Sequence, residues 1–476
     1  MVKLRINNKE IIAEPGTSVM KAALDNGIFI PHFCYHPALS ISGNCRICVV
    51  SVKNMPKPVT SCTTAVAEGM EVETENKDIA AIRKSVLEFF LINHPIDCPV
   101  CDQAGECTLQ DFTYLYGSDH SRFSEEKRTW HTKDVGPLVK LWANRCVLCA
   151  RCVRFLNEIT KTGELGIMNR GDRNVIDTFP GMPVDNPLSG NIVDICPVGA
   201  LISKDFLYQA RVWFMDFKQS VCPMCATGCN ITAGVYQGKI KRFAPTKNLK
   251  VNQYWMCDYG RLSYKFVHSD NRLTAFLTRS QAGSVTKTTL QESVNILKNS
   301  LSGDTAVLAS AYMDNEGLTA LKTVTDKYGI KNIGCLLKPD GKAQAFGGGF
   351  KISHDNNPNR KGFENVFGKA VLDNGYRQVI DAVKTGKAGT LYVINGILDY
   401  ALPQELIDAA GKVKFLVVQD THSSALTEKA HLVLPSCTYA EKNGAFTNEQ
   451  GMEQKFNRLI DPAGAAEPDN IILNQL

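Results

Sequence analysis

At 476 residues, with 44% hydrophobic and 21% charged side chains, the chain has the composition of a soluble globular protein long enough for several domains. Its net charge of +5 is small for that length, and no long block of like charge occurs, which argues against a nucleic-acid binder. The opening "MVKLRINNKEIIAEPG" lacks an apolar core of signal-peptide length, and "VLEFFLI" at 86–92 is too short to cross a bilayer. The expectation is a cytoplasmic chain without a membrane span, tied to any membrane through partners.

Val2, Leu4 and Ile6 alternate, "NN" at 7–8 suits a tight turn, and "EIIA" returns as a second strand. This predicts a small β-grasp unit. "PGTSVMKAALDNG" then reads as a helix with a Thr17 or Ser18 cap and a Gly27 stop. From Asp78 a helical spacing of Ile79, Ile82, Val86, Phe89 and Phe90 runs to "NHP". Residues 112–140 are polar and turn-rich, a predicted connector. Beyond about residue 300 the short apolar runs "TAVLASA", "TLYVING", "KFLVVQD" and "HLVLP" alternate with helical stretches such as "NEGLTALKTVTDKYG" and "PQELIDAAGKV". That alternation predicts an α/β unit with a largely parallel sheet. "FGGGF" at 346–350 reads as a loop.

Seventeen cysteines are present, and 15 of them lie within the first 257 residues. In a reducing compartment such density points to metal or redox chemistry rather than disulfides. Cys34, Cys45, Cys48 and Cys62, spaced C-x10-C-x2-C-x13-C behind the β-grasp pattern, suit a 2Fe–2S cluster, although the plant-type spacing differs. Cys146, Cys149 and Cys152 in "CVLCARC" are completed by Cys196 in "DICPVGAL", the grammar of a 4Fe–4S ferredoxin site. Cys222, Cys225 and Cys229 in "CPMCATGC", with Cys257 in "WMCDYGR", form a further set. Structural zinc is the rival for the first and last of these.

These sets leave Cys98, Cys101 and Cys107 one donor short. Every other cysteine before residue 258 is already spent, so the predicted fourth donor is His94 in "HPIDC", since neutral imidazole can replace thiolate at iron. His32, His36 and His120 read as structural or surface residues. Arg46, Arg145 and Arg151 flank ligands, and either offset cluster charge or sit solvated at the surface. Cys335, in the apolar run "NIGCLL", reads as core. Cys437 matches no recognised ligand position.

The motifs "HPIDCPVCDQAGECTLQD", "NRCVLCARCVRF" and "DICPVGAL", in this order behind the ferredoxin-like pattern, resemble the G subunit of bacterial NADH:quinone oxidoreductase, respiratory complex I. The resemblance spans about residues 1–270 closely and the rest more loosely. It implies a multidomain α+β and α/β chain. Residues 1–77 would be a 2Fe–2S ferredoxin-like domain, 78–117 a 4Fe–4S domain with one histidine and three cysteine donors, and 138–215 a 4Fe–4S ferredoxin-like domain. Residues 216–270 would form a 4Fe–4S domain of the molybdenum/tungsten type. Residues 271–476 would form a truncated molybdopterin-oxidoreductase-like α/β domain, since "FLVVQDTHSSALTEKAHLVLPSCTYAEKNGAFTNEQGMEQ" is similar to the pterin-dinucleotide half of those enzymes.

The implied cofactors are one 2Fe–2S cluster and three 4Fe–4S clusters, with no molybdopterin, flavin or NAD. No dinucleotide fingerprint follows a strand, so NADH oxidation and quinone reduction would belong to partners. Those partners are the flavin-bearing NADH subunit and the quinone-side iron–sulfur subunits of the peripheral arm. The implied location is the cytoplasmic face of the bacterial inner membrane. The rival readings are the electron-transfer region of an NAD-linked formate dehydrogenase or iron-only hydrogenase, and a structural zinc protein.

Overall fold

The structure, a computed structural model, describes every residue of the chain except 131, 281 and 282. It comprises two compact units, Met1–Met215 with Phe346–Gly348, and Asp216–Ala345 with Gly349–Leu476.

In the first unit the alternating apolar residues form the expected hairpin. Strand Val2–Ile6 lies antiparallel to Lys9–Ala13, and Leu4 faces Ile11 in the register. Asn7 and Asn8 make the turn in the left-handed region, with φ of 48° and 65°, a conformation asparagine tolerates better than most residues. Glu71–Glu73, Val49–Val52 and Val59–Thr60 complete a five-stranded sheet. Helix Val19–Asp25 packs against it, with Ser18 as its cap and Gly27 at φ 76° just past its end. Leu4, Ile6, Val19, Met20, Val50 and Val72 fill the core between them.

Helix Lys77–Leu91 follows, capped by Asn76 Oδ1, which accepts from Ile79 N at 2.9 Å. It buries the i, i+4 stripe Ile79, Arg83 and Leu87. Phe89, expected on the inner face, is 74% exposed, because two residues beyond Leu87 the helix has turned by about 200°. Nothing in the local sequence singles out Arg83. Its fully buried guanidinium donates to the carbonyls of Ile47, Val49 and Thr74, to Glu75 and to the Tyr116 hydroxyl, fastening the N-terminal sheet to this helix.

The predicted connector is more structured than expected. Helix Thr108–Tyr116, which buries Leu109 and Phe112, takes up its start. Strands Thr132–Asp134 and Val139–Trp142, paired with each other and with Leu201–Ser203, lie at its end.

The second unit opens with an antiparallel sheet of Asp216–Val221, Asn230–Tyr236 and Lys239–Pro245. Beyond it, Leu432–Pro435, Phe415–Asp420, Thr390–Ile394, Thr305–Ser310 and Asn332–Leu336 lie side by side and parallel. Two antiparallel strands, Phe276–Arg279 and Val285–Thr288, extend one edge. All four apolar runs read from the sequence are strands of this sheet, and Val307, Tyr392, Val417 and Leu432 form a continuous buried row across it. Cys335 is buried on the edge strand.

Beside that sheet, buried Lys442 places its Nζ 2.7 Å from Asp314 and 2.6 Å from Asp469. Asp469 also accepts from Gln419 and Ser436, and Asp314 caps the helix Asn315–Lys327. Burial alone would lower the lysine pKa, but the two carboxylates hold it above the ordinary value. Lys442→Met would leave two buried carboxylates uncompensated and should destabilise the second unit by about 3–5 kcal/mol. Denaturant unfolding of the full chain measures this. Adding Asp314→Asn and Asp469→Asn should recover much of the loss.

Candidate metal centres

The first set lies on the loop that leaves helix Val19–Asp25 and on the turn after Val59–Thr60. All four cysteines are buried. Cys48 Sγ is 3.5 Å from Cys62 Sγ, and Cys34 hydrogen-bonds with Cys45 and Cys62. Those contacts lower the Cys34 thiol pKa from its ordinary value, against the opposing effect of burial. Four sulfurs thus converge within one small buried volume.

The third set is wound more tightly. Cys146 ends a turn at Ala143–Arg145, and the chain then passes through the left-handed region at Leu148 (φ 49°) and Ala150 (φ 58°). Non-glycine residues rarely adopt that region. Here it reverses the chain between successive cysteines, and Leu148 N comes within 3.3 Å of Cys146 Sγ. Cys152 lies on helix Arg151–Phe155, and Cys196 follows helix Asn191–Asp194. All four line one apolar cavity closed by Leu141, Ile176, Val198 and Leu201. Burial pushes the Cys149 thiol up to about 11 and raises the other three as well. An anionic sulfur there needs a cation, which a bound metal would supply.

The second set is the most open. Cys98 is exposed at the start of a turn, Cys101 is buried, and Cys107 lies at the N-terminus of helix Thr108–Tyr116. Backbone N–H groups of Leu109 and Gln110 donate to Cys107, partly offsetting burial, which raises its thiol pKa. His94, Cys98 and Cys107 line a single cavity of about 750 Å³. Burial lowers the His94 pKa to about 4 against the opposing pull of Asp97, so at neutral pH its ring is in the neutral, ligating form. Cys101 lies against Gly199, where any Cβ would collide with its Sγ.

The fourth set belongs to the second unit. Cys222, Cys225 and Cys229 occupy the loop joining strands Asp216–Val221 and Asn230–Tyr236, and Cys257 caps helix Asp258–Arg261. Gly260 N donates to Cys257 Sγ at 3.3 Å, and a Cβ at Gly260 would strike Cys222 Sγ at 2.8 Å. All four thiols are raised by burial, Cys257 to about 12. Distant segments hold the loop: Ala226 N donates to Asp355 O, Glu449 N to Ala226 O, and Gln454 Nε2 to Gly228 O.

Among the described residues, no three His, Cys, Asp or Glu side chains close around a single-ion position. The donor chemistry, the shared cavity of the third set and the glycine cradles at Gly199 and Gly260 fit polynuclear iron–sulfur groups. His32, whose ring lies 2.7 Å from Ile30 O, and His36, which accepts from Ala38 N, make local backbone bonds, and His120 is exposed beside Asp119. Cys437 is buried, with its thiol 3.5 Å from Ala466 O.

Arginines brace the loops of the first unit, and only some stand out in the sequence. Arg46 is exposed. Arg145 is buried and grips Asp97 with two nitrogens, joining the residue before Cys146 to the residue before Cys98. Arg211, far from any ligand motif, binds the carbonyls of Pro99 and Cys101. Thr108 N donates to Pro197 O at 3.0 Å, a second tie between these sets. Nothing in the local sequence of Asp97 or Arg211 marks a partner so far along the chain.

Five known families match along the chain. They are a 2Fe–2S iron–sulfur cluster binding domain at residues 1–77, the NADH-ubiquinone oxidoreductase-G iron–sulfur binding region at 83–122, and the ferredoxin-like domain of NADH-quinone oxidoreductase subunit 3 at 136–202. A molybdopterin oxidoreductase Fe4S4 domain follows at 215–269, and molybdopterin oxidoreductase at 368–476. The NADH-quinone oxidoreductase G subunit of Rickettsia felis is 36% identical over 70% of this chain and 50% of its own length; that of Rickettsia bellii is 38% identical over 70% and 49%. Over most of its length the chain is similar to these G subunits. The mitochondrial NADH-ubiquinone oxidoreductase 78 kDa subunit of Candida albicans is 37% identical over 72% of this chain and 49% of its own. The chain therefore spans about half the length of these relatives. A solved NAD+-reducing NiFe-hydrogenase chain shares 29% identity over 44% of this chain and 91% of its own, with a TM-score of 0.40. Among the described residues, no helix is long and apolar enough to cross a membrane.

The cradle at Gly199 makes a direct test. Gly199→Ala should displace Cys101 and lower the iron content of anaerobically purified protein by about four atoms, the content of one cubane. Unchanged iron would mean that the Cys101 loop has room to yield.

Proposed function

We propose that the chain conducts single electrons within NADH:quinone oxidoreductase, from a flavin-bearing NADH subunit towards quinone-side iron–sulfur subunits. In this reading Cys34, Cys45, Cys48 and Cys62 hold a 2Fe–2S cluster, and His94, Cys98, Cys101 and Cys107 hold a 4Fe–4S cluster. Cys146, Cys149, Cys152 and Cys196 hold a second 4Fe–4S cluster, and Cys222, Cys225, Cys229 and Cys257 a third. Residues 1–77, 78–117, 138–215 and 216–270 are the four cluster domains in that order, and residues 271–476 are a scaffold without cofactor. The assembly sits peripherally at the cytoplasmic face of a bacterial inner membrane.

One observation carries the reading. A single apolar cluster contains Cys34, Cys45 and Cys149, with Cys107, Cys146 and Cys196 packed against it. Donors of the first three sets therefore share one water-poor core. A cavity of about 360 Å³ is likewise lined by Cys45, His94 and Cys146, one donor from each.

Bound iron–sulfur groups accept and release one electron with little rearrangement. The protein holds the donors fixed and keeps water out with Phe33, Ile47, Leu87, Leu109, Phe112 and Val198. It also aims backbone N–H groups at sulfur, from Leu148 to Cys146 and from Gly260 to Cys257. Such donors stabilise added negative charge and raise the potential. Asp97 and Arg145 brace the loops of the second and third sets at their shared border.

The full chain, purified anaerobically, should carry about 14 irons with matching acid-labile sulfide, the content of one binuclear and three cubane groups. His94→Ala should alter the EPR signal of the second set alone. Stoichiometric zinc in place of iron, or a wild-type spectrum in the His94 variant, would contradict the assignment.

A further inference from the structure

Arg151 lies between the first and third ligand sets. Its Nη2 donates to Tyr35 O at 2.6 Å and its Nη1 to Ile195 O at 3.2 Å. One guanidinium thus reaches from the residue after Cys34 to the residue before Cys196. Its Nε is buried without a hydrogen-bond partner. The charged or chargeable groups that act on it include Cys149, Cys196, Cys34, Arg154, His32 and His36, and burial works against its charge.

A buried cation normally recruits a carboxylate. Two fully buried arginines of this unit do so: Arg83 pairs with Glu75, and Arg145 with Asp97, whereas Arg151 is half-buried. Among the described residues Arg151 has no carboxylate partner. It lines the same apolar cavity as Cys146, Cys149, Cys152 and Cys196, and its bond to Tyr35 O places it beside Cys34 of the first set. Its two hydrogen bonds to backbone carbonyls leave it neither a surface group nor an ordinary ion pair.

We propose that Arg151 is the shared counter-ion of the first and third centres, a tuning residue whose fixed positive charge raises the midpoint potentials of both. This rests on the assignment of iron–sulfur clusters to those sets. Each reduction adds a negative charge to its centre, and a nearby half-buried cation favours that more negative state. Removing the cation must therefore lower both potentials together. The second and fourth sets, which supply none of the sulfurs beside Arg151, should not follow.

The test uses the full chain, wild type, Arg151→Gln and Arg151→Lys, purified anaerobically. Iron and sulfide are quantified first, and EPR-monitored redox titrations follow. In Arg151→Gln the reduced-to-oxidised ratio of the first and third centres at a fixed potential should fall by about tenfold, 59 mV for a one-electron couple, while Arg151→Lys stays within about twofold of wild type. A role confined to loop architecture would instead change line shapes or iron content and leave the potentials of loaded centres where they were. Wild-type potentials in a fully loaded Arg151→Gln protein overturn the proposal. Should Arg151→Gln fail to load iron at these sets, Arg151→Lys decides. Potentials near wild type then support the charge effect, and a tenfold fall in both despite the retained charge overturns it. Wild-type protein without iron would instead remove the cluster assignment itself, an outcome the first measurement distinguishes.

Discussion

Burying sulfur donors in an apolar core is the constraint on which the first unit depends. Thiolates taken out of water are costly, and burial raises the pKa of the third set's thiols accordingly. The site is therefore built for a group that brings its own positive charge. The same burial that makes the empty site unfavourable makes the filled one selective, because metal binding and proton release are one event. Cys34, Cys45 and Cys149 belong to one apolar cluster, so the first and third sets share this condition and the packing that meets it.

The loops that carry the donors have little regular structure of their own. What fixes them is a small number of long side chains that reach across chain segments far apart in sequence. Arg83 collects three backbone carbonyls, Glu75 and Tyr116. Arg154 binds the carbonyls of Cys34, Ser40 and Cys149. At the border of the second set Arg145 grips the Asp97 carboxylate, and Arg211 binds the carbonyls of Pro99 and Cys101. Guanidinium suits this work because its planar fork satisfies two or more carbonyls at once and stays charged in a dry setting.

In the second unit the parallel sheet supports the fourth ligand loop from a distance in sequence. Residues near 355, 449 and 454 bond directly to the backbone of the Cys222–Cys229 loop, and the Lys442 network holds Asp469 to the cap of the Asn315–Lys327 helix. A fold related to molybdopterin enzymes thus serves as a cradle for the loop that precedes it.

The elements and the grouping of the cysteines into candidate donor sets are legible in the residues themselves. Period-two alternation marks the Val2–Ile6 hairpin, apolar runs mark the parallel strands, and short cysteine spacings mark loops folded back on themselves, because each of these is set by local geometry. The shortage of one thiolate shows that a donor is missing, and its place in "HPIDC" makes His94 the proposed one. Phe89 departs from its expected place because a helical repeat identifies a stripe but not which neighbouring stripe the rest of the fold will cover. The pairing of Arg145 with Asp97, the two carbonyls spanned by Arg151 and the meeting of three sets in one core depend on contacts between residues tens to more than a hundred positions apart. No local periodicity records such contacts, and only the packed tertiary structure decides them.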